Sequence, residues 1–216
     1  MVAGDSAEGM TPRSEAIRQA FRLEWLTVGW LALEAAVAII AGVRAGSLSL
    51  TAFGLDSVIE LASAFVLIWR LNVELRHGRV FSEEAERLSS RLGGGLLLLL
   101  AASITAGALW RLWSQQGGEF SLSGLLLALL AIPVMAVLSR RKIALATRLG
   151  SRAMRADAVE SITCGWLSLV VVIGLIAKFF LDAWWVDAVT SLAIVWFLAK
   201  EGREAWAGEQ CCCGHD

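Results

Sequence analysis

The sequence predicts an all-α integral membrane protein, a six-transmembrane-helix bundle with both termini cytoplasmic, and three observations predict it. Of its 216 residues 57% are hydrophobic, and charge is confined to short stretches between apolar blocks. The blocks are about twenty residues long, which is what a helix needs to cross a hydrocarbon core of about 30 Å. Of the 19 basic residues, all but Arg44, Arg111 and Lys178 lie at the termini, in the longer connections or at the helix ends adjoining them. That asymmetry places the basic side in the cytosol.

Taken in order, the blocks are roughly Trp25–Val43, Ser47–Leu71, Leu92–Trp113, Phe120–Leu138, Ala153–Ala177 and Trp184–Lys200. Short connections (Arg44 to Gly46, Ser114 to Glu119, Lys178 to Ala183) alternate with longer charged ones, Asn72 to Arg91 and Ser139 to Arg152. No connection is long enough to separate two domains. The expected organisation is a cytoplasmic segment 1–24, a transmembrane domain 25–206 and a Cys-rich cytoplasmic tail 207–216. Trp25, Trp69 and Trp206 fall at the inner edge, and Trp110, Trp113, Trp184 and Trp185 at the outer edge, as interfacial belts. A net charge of −1 without a basic stripe argues against a nucleic-acid partner. The polar stretch Met1 to Glu24 has no signal-peptide pattern. No His-Glu-x-x-His run, nucleophile elbow or phosphate-cradling loop argues for an enzyme.

The chemistry lies in acids inside apolar helices. Asp56 and Glu60, four residues apart, share one face of the second helix. Glu160 and Cys164 do the same on the fifth. The two helices run in opposite directions, so their depths can be compared. At about 1.5 Å per residue, Asp56 and Glu60 lie about 17 and 11 Å from the inner edge of a core about 30 Å thick. Glu160 and Cys164 lie about 10 and 16 Å from that edge. Carboxylate oxygen and thiolate sulfur both bind zinc, and sulfur also suits softer ions such as cadmium. Grouped acids at that depth repel one another unless a proton or a cation neutralises them, which sets protons and metal in competition.

Each residue also has a plainer reading. An intramembrane acid can be an interhelical hydrogen bond, and a lone buried cysteine a small hydrophobe. Glu34, midway along the first helix, is either a supporting partner or proton carrier, or a packing hydrogen bond. Asp157 could join a proton relay, against a role solvated at the interface or paired with Arg155. Asp187 lines an outer vestibule or serves a helix start.

Two stretches of the second helix, Gly46-Ser47-Leu48-Ser49-Leu50 and Leu55-Asp56-Ser57-Val58-Ile59-Glu60, resemble that of the cation diffusion facilitator family. Arg155-Ala156-Asp157-Ala158-Val159-Glu160 resembles the start of that family's fifth helix. The segments from Trp184 to Ala188 and from Lys200 to Trp206 look like its sixth. The resemblance implies a transport site on Asp56, Glu60, Glu160 and Cys164. It also implies export of a divalent metal, commonly Zn2+, from the cytosol in exchange for protons, usually by homodimers. This sequence departs from the family's pattern in using Glu60 for the usual Asp and Glu160/Cys164 for the usual His/Asp pair. The family's cytosolic ferredoxin-like domain is expected to be missing, since only 16 residues follow Lys200. A dimer would then form through the membrane helices, along small residues such as Gly93, Gly94 and Gly95. The cell membrane is the expected location.

Cys211, Cys212 and Cys213 with His215 form a soft-ligand tail for metal capture or delivery, although adjacent cysteines converge poorly on one ion. Acylation or an incidental tail are the alternatives. The competing functional class is a membrane-embedded metal sensor or scaffold that binds without transporting.

Overall fold

The computed structural model describes residues 12–77 and 83–207. Among these residues there are six α-helices: α1 (Pro12–Arg44), α2 (Leu48–His77), α3 (Glu83–Ser114), α4 (Leu122–Leu149), α5 (Arg152–Leu181) and α6 (Val186–Ala207). Five of them, α1 to α5, are long and apolar enough to cross a membrane by length and composition. The sixth expected span is a helix of the bundle but falls short of that measure. Its uncharged stretch, Ala188 to Ala199, is closed off by Asp187 on one side and Lys200 and Glu201 on the other.

The helices outrun the apolar blocks that announce them. α1 begins at Pro12, so Glu24 is already a helical residue. The expected connection Ser139 to Arg152 is mostly the last turns of α4, and only Gly150 and Ser151 join α4 to α5. Gly150 takes the left-handed conformation (φ 62°), with its N–H bonded to the Ala146 carbonyl, and the Ser151 hydroxyl then caps α5 by accepting from Met154 N. Apolar patterning marks where lipid ends, whereas the hydrogen-bond ladder continues until a capping residue stops it. The tail cysteines and His215 lie outside the described residues.

α1 packs along α2, α4 along α5 and α3 along α6; α1–α4 and α2–α5 contacts join the pairs, with α6 also touching α2 and α5. The helices are inverted relative to a soluble bundle. On α1, Leu26, Leu33 and Ile40 recur every second turn and face outward, as lipid-facing residues do, while Glu24, Thr27 and Glu34 are buried. Small residues set the close approaches, because helices in lipid associate through packing rather than expulsion of water. A Cβ on Gly94 would come within 2.7 Å of the Gly202 carbonyl and 2.8 Å of Trp206 N. The small-residue stretch expected to serve a dimer is therefore occupied within the chain at Gly94, by α6.

Candidate functional site

α2 and α5 pack against each other near the middle of the bundle. Asp56, Glu60 and Cys164 are buried there, and Glu160 is partly so. Asp56 lies within electrostatic reach of Glu60, Glu160 and Glu34, and Cys164 within reach of Glu34, Glu60 and Asp56. Glu160 is likewise within electrostatic reach of Glu60. The four side chains do not form a closed ligand shell in this conformation: among the described residues, no three His, Cys, Asp or Glu side chains are grouped tightly enough to hold a metal ion.

Neighbouring hydroxyls occupy part of the set. The Ser161 hydroxyl donates to Glu60 Oε1 at 2.9 Å, and the Cys164 thiol donates to Glu34 Oε1 at 3.3 Å. Glu34 also accepts from Ser57 Oγ at 2.8 Å and from Trp30 Nε1 at 2.6 Å. It therefore ties α1 to both α2 and α5. Glu60 Oε2 and Glu160 Oε2 are buried without a hydrogen-bond partner. An orphaned carboxylate oxygen in a low-dielectric interior is costly, and a cation or proton relieves that cost.

Two of the flanking acids have roles the sequence left open. Asp187 is a helix cap, but for a helix other than its own. Its carboxylate accepts from Ser47 Oγ at 2.6 Å, Leu48 N at 2.7 Å and Ser49 Oγ at 2.7 Å, so α6 supplies the negative charge that the start of α2 favours. Arg111 of α3 closes this clasp, with Nη1 3.2 Å from Asp187 Oδ2. Asp157 is not partnered by Arg155, which is exposed; it is buried, with Oδ2 2.5 Å from Lys142 Nζ. The extra turns of α4 bring Lys142 there.

Residues 26–206 match the sequence profile of the cation efflux transmembrane domain. The chain belongs to the cation efflux family. An uncharacterized transporter of Synechocystis sp. is 31% identical over 155 residues, which cover 69% of this chain and 49% of that protein. The match thus spans about half the length of that relative. With its five apolar helices, this cation efflux protein is an integral, multi-pass membrane protein.

The structure adds to this cation efflux domain two buried charged residues that the apolar pattern does not mark. Glu201 of α6 is buried, with Oε1 unpartnered, and lies within electrostatic reach of Asp56, Glu160 and Glu60. Lys142 is completely buried between Glu24 and Asp157. Both stand just beyond the apolar blocks, in stretches that read as cytoplasmic. Glu201 has one legible sign: five and four residues before it, Trp196 and Phe197 still continue an apolar run.

Proposed function

We propose that this protein is a secondary transporter that exports a divalent transition metal, zinc first, from the cytosol in exchange for protons. The observation that carries the reading is the convergence of Asp56 and Glu60 on α2 with Glu160 and Cys164 on α5, two of whose carboxylate oxygens are buried and unpaired. Membership of the cation efflux family supports transport of a cation. The donor set of carboxylate oxygen and sulfur supports a divalent transition metal.

In this mechanism the four side chains bind the cation as deprotonated ligands. Loading requires Cys164 to leave Glu34 and Glu60 to share or release the Ser161 hydroxyl. Protons arriving from the far side then replace the cation, because a protonated carboxylate or thiol no longer serves as a ligand. Both termini face the cytosol in this reading, as the distribution of Lys and Arg requires. A homodimer would assemble through the membrane helices.

Purified protein in liposomes tests the proposal. Zinc or cadmium on the loading side should drive a counterflow of protons, and Asp56→Asn should abolish it. Wild-type flux in Asp56→Asn, or the absence of cation-dependent proton movement in wild type, overturns the mechanism. Tight zinc binding with no flux would instead establish a membrane-embedded sensor.

A further inference from the structure

Between α1, α4 and α5 lies a charged cluster that the proposed exchange does not use. Lys142 has no exposed surface. Its Nζ lies 2.5 Å from Asp157 Oδ2 and 3.5 Å from Glu24 Oε2, so three helices meet at one ammonium. A buried charge without a partner is strongly unfavourable, and here two carboxyl groups stand beside the one ammonium.

The cluster is wired to the candidate site through one side chain. Lys142 Nζ donates to Ser161 Oγ at 3.1 Å, and Ser161 Oγ donates onward to Glu60 Oε1 at 2.9 Å. The same hydroxyl is 3.2 Å from the Asp157 carbonyl, but the carboxylate is the nearer acceptor and, when ionised, the stronger one. A donor fed by an ammonium is polarised, and its onward hydrogen bond is strengthened in a low-dielectric interior. Glu60 Oε1 is therefore held by a hydrogen whose grip depends on Lys142, while Glu60 Oε2 stays free.

We propose that Lys142 is a tethered cation that competes with the transported ion for Glu60, acting through the Ser161 hydroxyl. It is a positioning residue: it touches no ion, and it sets how firmly Glu60 can hold one. An arriving cation takes Glu60 Oε1 only by displacing the Ser161 hydrogen. When the cation leaves, the hydroxyl returns, so the chain weakens binding and speeds release. This inference rests on the transport reading above.

Zinc transport by liposomes containing wild type, Ser161→Ala and the triple variant Glu24→Gln/Lys142→Met/Asp157→Asn tests it. The triple variant removes the ammonium together with the two carboxyl groups that Lys142→Met alone would strand, so no partner of the cluster is left buried and unpaired. Ser161→Ala should lower the KM for zinc about fivefold, the size expected for one hydrogen bond, and should lower kcat as release slows. The triple variant should share the lower KM, and both should show a matching fall in Kd by equilibrium dialysis of the purified protein. Unchanged KM and Kd in both variants overturn the inference and leave Lys142 as a structural tie. A shift in Ser161→Ala with the triple variant at wild-type values removes Lys142 from the mechanism. Wild-type liposomes that move no divalent cation overturn the transport reading itself, and with it this refinement.

Discussion

Cys164 Sγ donates to Glu34 Oε1 across 3.3 Å, joining α5 to α1 between residues 130 positions apart. The thiol expected to face a metal is thus bonded to a carboxylate already held by Ser57 and Trp30. Glu34 therefore holds the sulfur in this conformation, and in the proposed mechanism Cys164 would be both a packing donor and a soft ligand.

Cys164→Ser should separate these two roles. The serine hydroxyl can still donate to Glu34, so the packing is kept, but the soft donor is lost. Cadmium prefers sulfur more strongly than zinc does. The KM for cadmium should therefore rise by about tenfold relative to that for zinc. Competition between the two ions in the same liposomes measures the ratio, and an unchanged ratio would place sulfur outside the ligand set.

Glu201 makes a prediction that no apolar block suggests. Its buried, unpaired oxygen lies within electrostatic reach of Asp56, Glu160 and Glu60. Glu201→Gln should raise the KM for zinc by about threefold to tenfold while leaving thermal stability unchanged or higher, because a buried ionisable group is replaced by a neutral one of the same shape. Loss of stability with an unchanged KM would assign it a packing role instead.

Proton competition has a definite sign. In the proposed exchange the ligands bind the cation in their deprotonated forms, so raising the pH on the loading side should tighten apparent cation affinity. The change is about tenfold per pH unit for each proton displaced. Acidifying the opposite side should accelerate release. Initial rates measured with each side buffered independently check both directions; a KM insensitive to loading-side pH would argue for uncoupled movement.

Gly94 tests the packing of α3 on α6. A methyl group there would meet the Gly202 carbonyl, Trp206 N and Ala205 Cβ at 2.7, 2.8 and 3.0 Å. Two of these are backbone atoms, which cannot swing aside. Gly94→Ala should cost about 2 kcal/mol, the usual scale of overpacking, seen as a lower unfolding temperature in detergent. Gly29, with open space around its missing Cβ, is the control, and Gly29→Ala should leave that temperature unchanged or slightly raised.

The helical bundle could be read before any coordinates, and hydrocarbon thickness with the fixed rise of a helix converts sequence separation into an expected distance across a membrane. That conversion is what singles out Asp56, Glu60, Glu160 and Cys164 as candidates. Their present partners could not be read that way. Whether Cys164 meets Glu34, or Asp157 meets Lys142 rather than Arg155, depends on which helices are neighbours and how each is rotated about its axis. A repeating apolar pattern restricts that rotation only loosely when every outward face contacts lipid. The same ambiguity hid Lys142 and Glu201. Both stand where apolar character has ended but helical hydrogen bonding continues, and only the packing of α4 against α5 and of α6 against α2 and α5 turns such charges inward, where each must find a partner or remain a cost.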